Sequence, residues 1–264
     1  MALEGWERGE HSSDGTTRTV WRRGTGPAVI VMAEIPGITP KVVAFADRVV
    51  ALGASVALPS LFGEDGAEPN PVRMLRSIVP ACVNKEFRAL AVGVTTPVAG
   101  WLRDLARTEH ERCGGPGVGA VGMCFTGGFA LSMMLDDRML APVLSQPSLP
   151  ISLPLRKGDS ADLHLSPDDL ATVKQRAADG TDVLGLRFTG DPLCPPARFD
   201  SLRRELGDSF IGVEIDSSKG NPHGNRRLAH SVLTEDLVDE PGHPTREALD
   251  QVLAFLAERL GLSA

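Results

Sequence analysis

Short apolar runs alternate along the chain with longer stretches in which apolar residues recur every three or four positions. Residues 27–33, Pro-Ala-Val-Ile-Val-Met-Ala, form a continuous apolar run, as a strand buried on both faces requires. Over 42–52, Val42, Phe45, Val49 and Leu52 share one face, which predicts a helix stopped by Gly53. The same reasoning predicts a strand over 54–58 ended by Pro59, a helix over about 97–107, a strand over 117–122 and a helix over 125–135. Further on it predicts strands over 182–188 and 210–215 and helices over 197–206 and 246–260. The last helix carries Leu249, Val252, Leu253, Leu256 and Leu260 on one stripe. Strands alternating with helices in this way predict an α/β fold: a mostly parallel central sheet with helices on both faces. No repeat, low-complexity tract or linker divides the chain, so a single domain over 1–264 is expected. The stretch from Ser145 to Asp162, rich in Pro, Ser and Leu, breaks the rhythm and predicts a loop or lid insertion at about 145–165.

Composition narrows the function classes. With 264 residues and 42% hydrophobic content, the chain can bury a large core without disulfides or metals. A net charge of −7 argues against a nucleic-acid surface, which needs a basic face. No apolar run approaches the ~18 residues of a membrane span, and Met1–Gly15 lacks the basic and apolar regions of a secretion signal. A cytoplasmic location without membrane or nucleic-acid partners is therefore expected. Cys82, Cys113, Cys124 and Cys194 form no C-x-x-C pair and match no zinc spacing. Each is to be judged singly, as core filler or reactive thiol, and no metal or organic cofactor is implied.

One of the four stands out. Gly117–Gly122 is a small-residue strand that runs into Gly122-Met123-Cys124-Phe125-Thr126-Gly127-Gly128 and then into an apolar helix. That is the strand–turn–helix setting of a nucleophile elbow, where small flanking residues let strand and helix backbones meet. It places Cys124 at a helix N-terminus, where free N–H groups and the helix dipole favour a thiolate. The bland alternative is a buried structural cysteine in a glycine-rich crossover.

With this elbow the chain resembles the dienelactone hydrolase family, α/β-hydrolases in which cysteine replaces the usual nucleophilic serine in a G-x-C-x-G-G elbow. The resemblance runs from about Pro27 to the C-terminal helix and has three supporting motifs. In Ala33-Glu34-Ile35-Pro36-Gly37, it implies that Glu34 contacts the resting thiol and that Ile35 gives a backbone N–H to the oxyanion hole. The second donor is the N–H of Phe125, directly after the nucleophile. In Thr189-Gly190-Asp191-Pro192, following a strand, the resemblance makes Asp191 the triad acid, with Asp200 a weaker rival. In His230-Ser231-Val232 it makes His230 the triad histidine, favoured over His223 and His243, which lie in loop settings. The chain order Cys124, Asp191, His230 is that of α/β-hydrolases.

Two departures from the family pattern stand out. Thr126 occupies the position two after the nucleophile, where glycine is expected. Thr234 occupies the position four after the histidine, where the dienelactone specialists carry an arginine for the substrate carboxylate. Arg76 and Arg88 are candidates for a second family arginine before the elbow. The resemblance thus implies a hydrolase acting on a small-molecule ester or lactone through a Cys124–His230–Asp191 triad, on a substrate other than dienelactone itself. A lyase, isomerase or cyclase, or a binding protein on the same fold, are the competing readings. Oligomeric state is not legible in these residues.

Overall fold

The computed structural model describes residues 3–151 and 159–262. The chain opens with a hairpin, β1 (Glu7–Ser13) and β2 (Thr16–Gly24), turned by Asp14 and Gly15, both at positive φ. Asp-Gly suits such a turn because both central residues of a tight hairpin adopt φ above zero. Then follow β3 (Ala28–Met32), α1 (Pro40–Ala51), β4 (Ser55–Pro59), α2 (Pro71–Val83), α3 (Pro97–Cys113) and β5 (Val118–Met123). A short α4 (Phe129–Ser132), β6 (Met139–Ser145), α5 (Pro167–Ala178), β7 (Val183–Phe188), α6 (Pro196–Leu206), β8 (Phe210–Ile215) and α7 (Pro244–Leu260) complete the order.

The strands form one eight-stranded sheet in the order β1-β2-β4-β3-β5-β6-β7-β8. The hairpin joins antiparallel at one edge, and every pairing from β4 to β8 is parallel. Alternation along β3 separates two cores. Ala28, Ile30 and Met32 pack with α3, α5 and α6, whereas Val29 and Val31 pack with α1 and α7. This is the α/β-hydrolase architecture expected above, with helices on both faces.

Several local expectations need amending. The hairpin, β6, α2 and α5 were not predicted. The helix expected over 125–135 is broken into a 3₁₀ turn at Cys124–Thr126, the four residues of α4 and a second 3₁₀ turn at Met133–Leu135. The Gly127–Gly128 pair favours helix weakly and sits where the elbow already bends the backbone. Of the insertion expected at about 145–165, Ser145 ends β6, a 3₁₀ turn covers Asp159–Ala161, and residues 152–158 lie outside the described residues.

Candidate active site

The parallel strands end on one side of the sheet, and each candidate group is carried by a segment leaving that side. Cys124 follows β5, Glu34 and Ile35 follow β3, Asp191 follows β7, and His230 lies between β8 and α7. Crevices at the carboxyl ends of parallel strands are where α/β proteins place their ligands.

Cys124 has φ +54°, a conformation that costs a non-glycine residue roughly 1–3 kcal/mol. The turn holds because its neighbours leave no slack. A Cβ on Gly122 would stand 2.3 Å from the Thr126 carbonyl oxygen, and one on Gly127 would stand 2.5 Å from Pro147 Cα. The Cys124 carbonyl accepts from the N–H groups of Gly127 and Ser148, each at 3.0 Å. Thr126, the departure from the family pattern, is fully buried and ties the turn down. Its hydroxyl accepts from Met123 N–H at 2.9 Å and donates to Met32 O at 2.9 Å. The elbow is thereby pinned to the end of β3, which leads into Glu34 and Ile35.

His230 Nδ1 lies 2.7 Å from Asp191 Oδ2. The Asp191 side chain is fully buried, and its other oxygen accepts from Leu193 N–H at 2.9 Å. The His230 Nε2 atom is buried with no partner in hydrogen-bond geometry, yet the sulfur of Cys124 lies near enough to act on it. Burial alone would lower the imidazole pKa; Asp191 and the sulfur outweigh it and push the value up to about 11. The segment that carries His230 is held by a residue six positions further on that the sequence did not single out. Asp236 Oδ2 accepts from the N–H groups of His230 at 2.8 Å and Ser231 at 3.1 Å, and its Oδ1 pairs with Arg226.

Glu34 is buried beside them. A carboxylate oxygen of Glu34, the sulfur of Cys124 and a ring nitrogen of His230 all lie within 4.8 Å of one another. Among the described residues this is the one grouping with donors of metal-binding type. The carboxylate is engaged on both oxygens: Ser231 Oγ donates to Oε2 at 2.7 Å, Gln146 Nε2 reaches the same oxygen at 3.4 Å, and Thr234 Oγ1 bonds Oε1. Burial raises the Glu34 pKa, against the hydroxyls of Thr234 and Ser231, which lower it. Thr234 is thus buried and committed to Glu34, and Gln146, Ser231 and Thr234 form a cradle that no linear motif announced.

Two buried arginines fix the loops around the site. Arg187 donates to the carbonyls of Cys194 at 2.9 Å and Thr189 at 3.1 Å, bracketing the turn that carries Asp191. Arg198 donates to the carbonyls of Pro147 and Pro150, each at 2.9 Å. The other sequence candidates lie elsewhere. Asp200 is exposed and paired with Arg203, and the rings of His223 and His243 pack against each other 5.9 Å apart. Cys194 is buried, which pushes its thiol up to about 12. Arg76 lines an adjoining cavity, and Arg88 a separate surface hollow.

A cavity of about 350 Å³ opens onto Cys124 and is lined by Glu34, Ile35, Phe125 and His230 as well as by residues of α2 and of the loop after β6. Ile35, whose amide the family resemblance implies as an oxyanion donor, and Phe125, whose amide the elbow geometry nominates, line the same cavity as the sulfur.

The model of the dienelactone hydrolase family matches residues 17–226. Solved structures with a similar fold include an alpha/beta hydrolase from Penicillium sp. sh18, with TM-score 0.62 at 14% identity, covering 97% of this chain and 99% of that one. A dienelactone hydrolase-like promiscuous phosphotriesterase from metagenomic libraries aligns with TM-score 0.59 at 16% identity, covering 97% of this chain and 98% of its own. A cold-adapted esterase from an Arctic intertidal metagenomic library aligns with TM-score 0.53 at 14% identity, covering 96% and 92%. Identities this low speak for the fold alone. No curated protein matches the sequence significantly.

Proposed function

The chain belongs to the dienelactone hydrolase family, and on that premise we propose that it cleaves a small ester or lactone through Cys124, with His230 as acid–base and Asp191 as its orienting partner. The observation that carries the reading is the junction of a cysteine at φ +54° with an imidazole anchored 2.7 Å from a buried carboxylate. Strain of this kind persists only where the surroundings over-determine it, and it presents the sulfur to the cavity.

The chemistry follows from the arrangement. The Cys124 sulfur, as thiolate beside the His230 imidazolium, adds to the acyl carbon, and the amides of Ile35 and Phe125 receive the developing oxyanion. Removing one such donor typically costs about 3 kcal/mol of transition-state stabilisation. The tetrahedral adduct collapses as His230 gives its proton to the departing alkoxide, leaving a thioester. His230 then takes a proton from water, hydroxide adds to the thioester carbonyl, and the thiolate leaves with the acid as product. Asp191 keeps the imidazole in the orientation that points Nε2 at the sulfur. The four cysteines are all free thiols. Among the described residues no helix is long and apolar enough to cross a membrane.

Turnover of p-nitrophenyl acetate by the wild type, Cys124→Ala, Cys124→Ser and His230→Ala tests the proposal. Loss of turnover in Cys124→Ala and His230→Ala, with alkylation of Cys124 by iodoacetamide abolishing activity in the wild type, is expected. Wild-type rates in Cys124→Ala would overturn it.

A further inference from the structure

Resting on that hydrolytic reading, we infer that the acyl group delivered to Cys124 is neutral and apolar, and that helix α2 supplies the wall along which its chain lies. The cavity beside Cys124 is walled by Met74 and Ile78 from α2, by Leu149 and Ile151 from the loop after β6, and by Phe125 and Leu193. Met74 and Ile78 are four positions apart and share one face of the helix. They remain 40% and 39% exposed although they line the cavity, and Leu193 is 51% exposed. These side chains hold apolar surface in contact with water next to the reacting sulfur, and an acyl chain threaded between them would remove it. The helix is suited to a wall more than to the core. Of its residues only Ser77 and Ala81 are buried, and Ser77 Oγ donates to Pro36 O at 3.0 Å.

Charge points the same way. The position at which the family resemblance expects a carboxylate-binding arginine holds Thr234, which is buried and spends its hydroxyl on Glu34. The ionisable side chains facing the cavity are Glu34, Glu235, Cys124 and His230, and among the described residues no lysine or arginine lines it. Arg73 and Arg76 line the adjoining cavity past Pro36 and Thr39, where Arg73 is engaged by Glu64 at 3.3 Å. A carboxylate carried by the substrate would meet the Glu235 side chain, already paired with Lys41 at 2.8 Å, and among the described residues the one cationic group lining the cavity is His230, which is committed to Asp191 and the sulfur.

The test is a series of p-nitrophenyl esters from acetate to octanoate, with a matched pair of lactones that differ by one carboxylate. A methylene that leaves water completely is worth about fourfold in kcat/KM, so hexanoate is expected to exceed acetate by at least about tenfold. Ile78→Asp is expected to collapse the hexanoate-to-acetate ratio towards unity. Leu75→Asp, on a residue of the same helix that does not line the cavity, keeps the ratio. A flat or falling series, or preference for the carboxylated lactone, overturns the inference while Cys124-dependent acetate turnover leaves the hydrolytic reading standing. Absence of turnover with every ester sinks the hydrolytic reading instead. In that event protection of the Cys124 thiol from iodoacetamide still decides: octanamide is expected to protect it at far lower concentration than octanoate, and equal or reversed protection rejects a neutral apolar site.

Discussion

At the scale of single residues, the imidazole of His230 decides how the site responds to pH. Its pKa is raised to about 11, so the imidazolium persists across neutral and mildly alkaline pH. An ester with a poor leaving group needs that proton at the step that frees the alkoxide. Activity on a simple alkyl ester is therefore expected to hold until pH approaches the raised value and to fall beyond it. Asp191→Asn removes one of the two groups that oppose burial, so the alkaline limb moves to lower pH and turnover drops about 10²- to 10⁴-fold. A pH–rate profile of both proteins checks the direction, and an unmoved limb would contradict the assignment of Asp191. Glu34 bears on stability, and its effect has the same sign with pH. A carboxyl whose folded pKa is raised binds its proton more tightly when folded, so its contribution favours folding at low pH and fades as pH rises. Thr234→Val strips a donor from the charged form. It is expected to cost about 1–3 kcal/mol, more at about pH 8 than at about pH 5, as urea midpoints would record. These two cases also mark what was legible. The elbow glycines, the strand-end aspartate and the chain order point to Cys124, Asp191 and His230 from the sequence alone. That Thr234 serves Glu34, 200 positions away, depends on two loops meeting in space, and no local pattern carries it.

At the scale of elements, the elbow is a packing device more than a helix start, which is why helical periodicity over 125–135 misled. Apolar residues at 125, 129 and 131 are buried because α4 is enclosed on every side, and enclosure of that kind imitates a continuous amphipathic face. β6 was missed for a related reason: Pro142 stands within it, and proline in a central strand argues against a strand. The hairpin was legible in principle from Asp14-Gly15, but its strands are half polar at the sheet edge and carry no buried run. Within the elbow the two adjacent glycines are expected to differ sharply. Gly127→Ala forces a methyl into the Pro147 backbone, 2.5 Å away, and overpacking of this kind typically costs about 1–3 kcal/mol. Because Pro147 precedes Ser148, whose N–H holds the Cys124 carbonyl, turnover falls with stability. A Cβ on Gly128 meets nothing within 4 Å, so Gly128→Ala is expected to stay within about 0.5 kcal/mol of the wild type. Thermal melts and ester turnover on the two variants separate a packing role from mere glycine flexibility, which would penalise both.

At the scale of the whole molecule, rigidity is distributed unevenly, and the distribution matches the division of labour in the site. Of the groups assigned to the chemistry, Ile35, Cys124 and Asp191 follow the buried ends of β3, β5 and β7, between two cores that share the sheet, and His230 lies between β8 and α7. Their loops are nailed down by Thr126, Asp236, Arg187 and Arg198 through backbone carbonyls and amides. The acyl wall, by contrast, is a helix with two small buried residues and an internal proline, Pro80. Local opening free energies follow buried contacts, so amides of α2 are expected to exchange with deuterium orders of magnitude faster than those of β5 or α7. An apolar ligand that lies on Met74 and Ile78 should then slow exchange in α2 selectively and leave the sheet, already near the global limit, unchanged. Exchange measured by mass spectrometry with and without octanamide distinguishes this from a uniformly rigid cavity, in which α2 would be protected before any ligand is added. A wall that tightens on its ligand over an immobile nucleophile would let one catalytic geometry serve acyl chains of several lengths, because only the loosely held side of the cavity has to adjust.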